Sequence, residues 1–309
     1  MAAREVVFLG TASQVPTRER NHNALFLRWD DLGILFDPGE GTQRQMIRAG
    51  VSATRITHIC VTHFHGDHCL GLAGVIQLAS LERVPHPIVV CFPESGLPYF
   101  ERLRHASIFH DAATIEPRPF AAEADAEIVL ARLPAATLVA RALDHRVDCY
   151  GYGLREHDGR RMLPDKLEAA GLRGGRIGEL VARGEVEIEG RTVRIEDISE
   201  PRRGQRFALV MDTRPCSSAS ALAAGADLLV CESTYLETEV IEAHDHYHMT
   251  AAQAGRLARE AGARRLVLTH FSRRYGASAP FQVEAAAHHD DVVAAEDFTL
   301  VAVPRRAGA

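Results

Sequence analysis

The sequence predicts an α/β fold in four layers, helix, sheet, sheet, helix, with one protruding arm. Three observations predict it: short apolar runs recur in both halves of the chain, amphipathic segments alternate with them, and residues 153–206 break the rhythm. Of 309 residues, 46% are hydrophobic and 25% charged, an ordinary globular balance that excludes disorder, collagen and coiled coil and implies a sizeable core. The length suits one large α/β domain or two fused halves.

The apolar runs are REVVFLG (4–10), ALFLRW (24–29), GILFDPG (33–39), HICVTH (58–63) and PIVVCF (87–92). They resume with FALVMDT (207–213), DLLVCEST (227–234), RLVLTH (265–270) and TLVAVP (299–304). Most are uninterrupted, as in strands covered on both faces. GTQRQMIRAG (41–50), LGLAGVIQLASL (70–81) and TAAQAGRLAREAGA (250–263) carry apolar residues at helical spacing, the last opening on Thr250 as N-cap and closing at Gly262. Strands and helices alternating in both halves give two sheets, each buttressed by helices. Residues 111–127 read as an acidic surface loop. Residues 153–206, rich in Gly and Arg, offer few strand signals beyond EVEIEGRTVRI (185–195) and hold twelve basic residues against eleven acidic. They read as an inserted arm or, equally, as a connection of two short helices and a hairpin.

A formal net charge of −6 argues against binding nucleic acid through the overall field, so any polyanion site must be local. No apolar run approaches the roughly 18 residues of a membrane span, and MAAREVVFLGTASQ has no leader pattern, so a cytosolic (cytoplasmic) chain without a membrane partner is expected. Cys60, Cys69, Cys91, Cys149, Cys216 and Cys231 are scattered with no CxxC pair and read as reduced core residues. Cys69 reads the same way rather than as a soft metal ligand.

Chemistry concentrates among the sixteen histidines. His63, His65, Asp67 and His68 follow a buried strand directly, and a tight turn relaxed by Gly66 can fan four such side chains around a small volume. The nitrogen and oxygen donors, without thiolate, suit zinc or a zinc-like transition ion with positions open to water. His145, Asp212 and His270 each end a strand-like run and add donors enough for two metals, Asp212 being able to bridge. Singly they would read as a loop residue, a turn former and a satisfied histidine; the repeated context favours the site.

HFHGDH (63–68) marks a resemblance to the metallo-β-lactamase-fold hydrolases. FLGTASQVPTRERN (8–21), DPGEGTQRQ (37–45), LDHRVDCYGYGL (143–154), MDTRPC (211–216), HMTAAQA (248–254) and THFSRRY (269–275) narrow it. Across nearly the whole chain the sequence resembles the ribonuclease Z (tRNase Z) family, endonucleases that remove the 3′ trailer from precursor tRNA, with its nearest likeness among actinobacterial members. The resemblance implies a single metallo-β-lactamase four-layer αββα domain over 1–309 with an exosite or flexible-arm insertion at 153–206. It implies two Zn2+ per subunit, with Mn2+ or Fe2+ as alternatives: His63, His65 and His145 on one, Asp67, His68 and His270 on the other, Asp212 bridging. Asp67 is the expected general base, His248 the expected proton donor and a bridging hydroxide the nucleophile, leaving a 3′-hydroxyl on the tRNA and a 5′-phosphate on the trailer.

For substrate contacts, Arg18, Arg20 and Arg274 flank the metal loops in the family pattern, Arg18 standing where the family has lysine. Arg173 and Arg176 lie in the arm, where the usual Gly-Pro element is replaced around GLRGGRIGEL (171–180). A homodimer in which one subunit's arm serves the other's site is implied by resemblance only. The rival readings are a small-molecule ester or sulfate hydrolase on the same fold, which would need neither arm nor PTRERN, and a non-catalytic RNA-binding or metal-storage protein, which would not need Asp67 and His248.

Overall fold

A computed structural model describes residues 3–123 and 125–306. Two seven-stranded sheets lie face to face. The first runs in the order Leu300–Ala302, Arg4–Gly10, Ala24–Trp29, Leu32–Phe36, His58–Cys60, Ile88–Pro93, Ile115–Phe120. The second runs Val292–Ala294, Leu266–Thr269, Leu228–Glu232, Arg206–Val210, Tyr150–Glu156, Ala136–Ala142, Glu127–Arg132. The uninterrupted apolar runs follow from burial on both faces. Along Ala24–Trp29, Leu25, Leu27 and Trp29 enter the core between the sheets, whereas Ala24 and Phe26 face the outer helices. Thr42–Ala49, Leu72–Leu81 and Leu97–Arg104 cover the first sheet, with Met46, Ile76 and Phe100 in that layer. Ser217–Ala223, Ala251–Glu260 and Ala279–Ala286 cover the second, with Leu222, Leu257 and Phe281. The result is the four-layer αββα sandwich.

The strand Ile115–Phe120 departs from expectation, since 111–127 read as a loop. It pairs in parallel with Ile88–Pro93 at the rim of the first sheet. Pro117 and Pro119 obscured it, but two residues apart they place both missing N–H groups on one side of the strand, and an edge strand has a free side.

The arm also begins later than expected. Gly153 pairs with Val139 and Ala208 inside the second sheet, and Arg206 pairs with Arg155, so the inserted part is 157–205. Glycine in this central strand reflects close approach: a Cβ on Gly151 would stand 2.5 Å from Leu222 of the covering helix. The insertion leaves and returns through a two-stranded ribbon, Gly159–Met162 against Ser199–Arg202. It carries helices Pro164–Ala169 and Gly175–Arg183 and the hairpin Glu185–Ile188 with Arg191–Arg194. Glu189 and Gly190 both take positive φ (49° and 76°), the two-residue turn whose twist suits a hairpin. Leu172, Leu180, Val186 and Ile198 form a separate small core for this unit.

The topology places the site. Four strands of the first sheet, from Leu32–Phe36 to Ile115–Phe120, run parallel, as do four of the second, from Arg206–Val210 to Val292–Ala294. Ligand sites in such sheets form beyond the carboxyl ends of the strands. Asp37, His63, Asp212 and His270 stand just past those ends, and Glu232 is the last residue of its strand.

Candidate metal centre and active site

The loop after His58–Cys60 is fixed before it reaches its histidines. The buried Tyr152 hydroxyl donates to the Val61 carbonyl at 2.7 Å, and Tyr150 N–H donates to the Thr62 carbonyl at 3.0 Å, so the second sheet holds the strand end. Beyond it the expected glycine-relaxed turn is instead a one-turn helix, Gly66–Cys69, with His65 at its N-cap. That turn swings Asp67 and His68 inward while His63 and His65 precede it.

Two groups of donors result. His63, His65, His145 and Asp212 each offer an atom within 4.8 Å of the others, and so do Asp67, His68 and His270. Asp212 joins them: its Oδ2 lies 3.6 Å from His63 Nε2 and 3.4 Å from His68 Nε2, its Oδ1 3.3 Å from His270 Nε2. His68 and His270 Nε2 are 3.2 Å apart, and each is 3.4 Å from Asp67 Oδ2. His65 Nδ1 is 2.9 Å from His63 Nε2 and 3.4 Å from His145 Nε2. Donors about 2.0–2.1 Å from a tetrahedral zinc stand about 3.3 Å from one another, so these spacings are those of ligands sharing an ion.

Hydrogen bonds behind the ligands set their tautomers. The Thr62 hydroxyl donates to Asp37 Oδ2 at 2.8 Å, so it accepts from His63 Nδ1 (3.0 Å), and Nε2 keeps its lone pair. On the other sheet the Thr234 hydroxyl donates to Glu232 Oε2 at 2.7 Å and accepts from His270 Nδ1 at 3.0 Å, again freeing Nε2. His68 Nδ1 donates to Asp37 at 2.9 Å, and His145 Nδ1 to the Tyr247 carbonyl at 3.3 Å. Partners of this kind orient metal-binding histidines. Asp37 and Glu232, absent from the sequence-based site, anchor both halves of it.

Charge supplies the test of fit. Asp37, Asp67, Asp212 and Glu232 are all buried, and no arginine or lysine bonds to any of them among the described residues. Asp212 Oδ1 is buried with no hydrogen-bond partner. Four carboxylates taken out of water require compensating positive charge, and the donor set fits divalent cations. Burial holds His63, His65 and His145 below the ordinary imidazole range, which keeps them neutral and able to ligate. Burial opposes a proton on His68 too, but Asp212, Asp67 and Asp37 outweigh it; the carboxylates that favour a proton there favour a cation between them.

His248 differs. Burial again works against its charge, yet Glu232, 2.9 Å from Nδ1, and Asp212 push it up to about 9. It also lies within ligand distance of Asp212 and His270. With Nδ1 committed to Glu232, the protonated ring leaves its Nε2–H free to donate. Asp67 is the opposite case: burial disfavours its charge, but His68 and His270 hold its carboxyl well below the usual range, and Gln14 N–H donates to Oδ2 at 2.6 Å. It stays ionised, the form in which a carboxylate can hold a cation.

These groups floor an open cleft of about 1060 Å³, lined by His65, Asp67, His145, Asp212 and His248 and rimmed by Arg146, Arg273 and Arg274. Of the arginines expected to meet substrate, Arg274 lines the cleft, its guanidinium 4.9 Å above Tyr235. Arg18 is exposed on the neighbouring loop. Arg20 does not fit that role: it is 7% exposed, donates to the Tyr275 carbonyl at 2.9 Å and lies over Phe271, so it braces the loop instead. Arg173 and Arg176 stand in the arm beside glutamates, 3.8 Å from Glu168 and 3.6 Å from Glu179. Arg146 and Arg273 were not among the arginines expected from sequence; their signal was adjacency to His145 and Arg274.

Comparisons with known proteins agree with this architecture. Residues 17–175 match the metallo-beta-lactamase superfamily and residues 193–271 the beta-lactamase superfamily domain. The chain is 54% identical to ribonuclease Z of Streptomyces coelicolor over 99% of its own length and 100% of the relative's. It is 44% identical to ribonuclease Z of Chlamydia caviae over 99% and 98%. The crystal structure of human tRNase Z, short form, superposes with a TM-score of 0.73 at 25% identity, covering 97% of this chain and 100% of that one.

Proposed function

The chain belongs to the ribonuclease Z family of the metallo-beta-lactamase superfamily, and on that premise we propose how its site works. It is a tRNA 3′-processing endoribonuclease, a hydrolase that removes the trailer from precursor tRNA. The observation that carries the mechanism is the meeting of two ligand-spaced donor groups on Asp212 at the floor of an open cleft.

We assign His63, His65 and His145 to one cation and Asp67, His68 and His270 to the other, with Asp212 between them. When bound, paired divalent cations bring the pKa of a water toward about 7 and draw charge from the phosphate oxygens. The protein's part is to place the substrate and handle protons. Asp67 accepts a proton from the attacking water. His248, protonated and oriented by Glu232, gives one to the departing oxygen, leaving a 3′-hydroxyl on the tRNA and a 5′-phosphate on the trailer. Arg274 with Arg146 and Arg273 offers positive charge at the rim, where phosphates are positioned rather than read. The arm at 157–205 grips the tRNA away from the cleft, which supplies binding energy from a remote part of the substrate.

The reading includes two Zn2+ per subunit with Mn2+ or Fe2+ as alternatives, and a homodimer whose arms serve each other's sites. It also includes a cytoplasmic location, which suits six free thiols. No helix among the described residues is long and apolar enough to cross a membrane. The test is incubation of metal-quantified protein with a 3′-extended precursor tRNA, mapping the cut to the nucleotide and assigning the new ends. One cut at the trailer junction with 3′-hydroxyl and 5′-phosphate ends is expected; no cut, or the reverse end chemistry, refutes the proposal.

A further inference from the structure

Three loops of the cleft meet on one tyrosine. Tyr247 directly precedes His248, and its φ of 63° is in the left-handed region, unfavourable for a residue with a Cβ. Such a conformation persists only where the surroundings hold it. The Arg214 guanidinium carbon lies 3.9 Å from the centre of the Tyr247 ring and that of Arg146 lies 5.4 Å from it. Arg214 is itself fixed by Asp144, Nε to Oδ2 and Nη2 to Oδ1, each 3.0 Å. Arg146 donates to the Asp245 carbonyl. Asp144 and Arg146 flank His145, Arg214 follows Asp212 by two positions, and the Tyr247 carbonyl accepts from His145 Nδ1 at 3.3 Å. Backbone bonds run alongside: Arg214 N–H donates to the Asp144 carbonyl at 3.2 Å, and His248 N–H to the Ala243 carbonyl at 2.8 Å.

We propose that Tyr247, clasped by Arg214 and Arg146, is a positioning residue that fixes His145 and His248 relative to each other, joining a ligand of the metal centre to the proton donor. A forked guanidinium stacked on a ring is preorganised in a way a lone surface ion pair is not. Because ring and carbonyl belong to one strained residue, releasing the ring lets both histidines drift. The proposal rests on the roles assigned above to His145 and His248.

The test uses full-length Tyr247→Ala, Tyr247→Phe and Arg214→Ala proteins. Its readouts are kcat and KM on 3′-extended precursor tRNA, rates on bis(p-nitrophenyl) phosphate, melting temperature, and the chelator concentration that strips the metal. A misplacement of the reacting groups by about 1 Å costs on the order of 100-fold, so Tyr247→Ala should lose about that in kcat on tRNA with KM little changed. It should also give up metal at lower chelator concentration. The loss on the nitrophenyl ester should be smaller, because nitrophenolate departs without a proton. Arg214→Ala should follow Tyr247→Ala, and Tyr247→Phe, which keeps the ring, should match the native protein. Native kcat and chelator resistance in Tyr247→Ala would overturn the proposal. So would equal damage in Tyr247→Phe, or equal losses on both substrates together with a lowered melting temperature, the mark of a merely structural role. A native protein that leaves precursor tRNA uncut would instead sink the functional reading.

Discussion

At His248 a neighbouring carboxylate decides the protonation state. Burial alone would leave the ring neutral at pH 7, and Glu232 with Asp212 reverses this, keeping it charged up to about pH 9. On the role proposed for it, the charged form that donates is present at neutral pH and is lost as pH rises through that value. Glu232→Gln removes the negative charge while keeping a side chain of the same shape, so the alkaline limb of single-turnover cleavage should move toward lower pH by about one unit or more. An unmoved limb would separate Glu232 from proton transfer. His63, His65, Asp67 and His68 were legible from sequence because four donors within six residues at a strand end rarely gather unless they share an ion. Asp37 and Glu232 were not: a single carboxylate at or just past the end of a buried strand carries no sign of its use, which depends on Thr62 or on His248, further along the chain. Arg20 misled for the converse reason, since sequence does not tell a guanidinium aimed at solvent from one laid on Phe271.

Among the elements, the arm is the part whose role is separable. Met162 and Ser199 are register partners at the end of the ribbon, so residues 163–198 can be replaced by a two-residue turn without disturbing the second sheet. That replacement should weaken precursor tRNA cleavage at least about tenfold through KM, with hydrolysis of bis(p-nitrophenyl) phosphate near native. Equal loss on both substrates would mean that the arm supports the fold. Its hairpin was readable from β-branched residues around Glu189-Gly190, but its start was not, because Gly151 and Gly153 look like loop residues until Leu222 is seen against them. The helix Ala251–Glu260 was legible to its cap: Thr250 accepts from Gln253 N–H, and the Gln253 side chain accepts in return from Thr250 N–H. The edge strand Ile115–Phe120 was lost to its prolines, which only a place at the rim permits.

Across the whole molecule, the two sheets are tied at the base by an ionic network as well as by the core. Arg4 bonds Asp30 of the first sheet's hairpin turn and Glu156 of the second sheet, and Arg202, at the foot of the arm, bonds Glu156 from the other side. Burial works against the charge on Glu156, but Arg202, Arg4 and the Gln205 N–H hold its pKa at about 2 against an ordinary 4.5. A depressed carboxylate contributes stability above its unfolded value and loses it as pH falls through the folded one. The melting temperature of native protein should therefore exceed that of Glu156→Gln at neutral pH, and the gap should close between pH 4.5 and about 2. A gap constant down to pH 2 would remove Glu156 from the acid response. The four layers themselves were plain in the sequence, since buried strands and amphipathic helices follow from local pattern; how the two sheets meet at Asp212 depends on contacts between distant segments.

The most direct measurement is the metal content of the intact chain by native mass spectrometry, for the native protein and for Asp212→Ala. With the two donor groups sharing Asp212, the native chain should carry two divalent ions, and the variant should bind fewer and release them at lower chelator concentration. A native chain that saturates at one ion, or an Asp212→Ala chain that keeps two with unchanged resistance, would contradict the account.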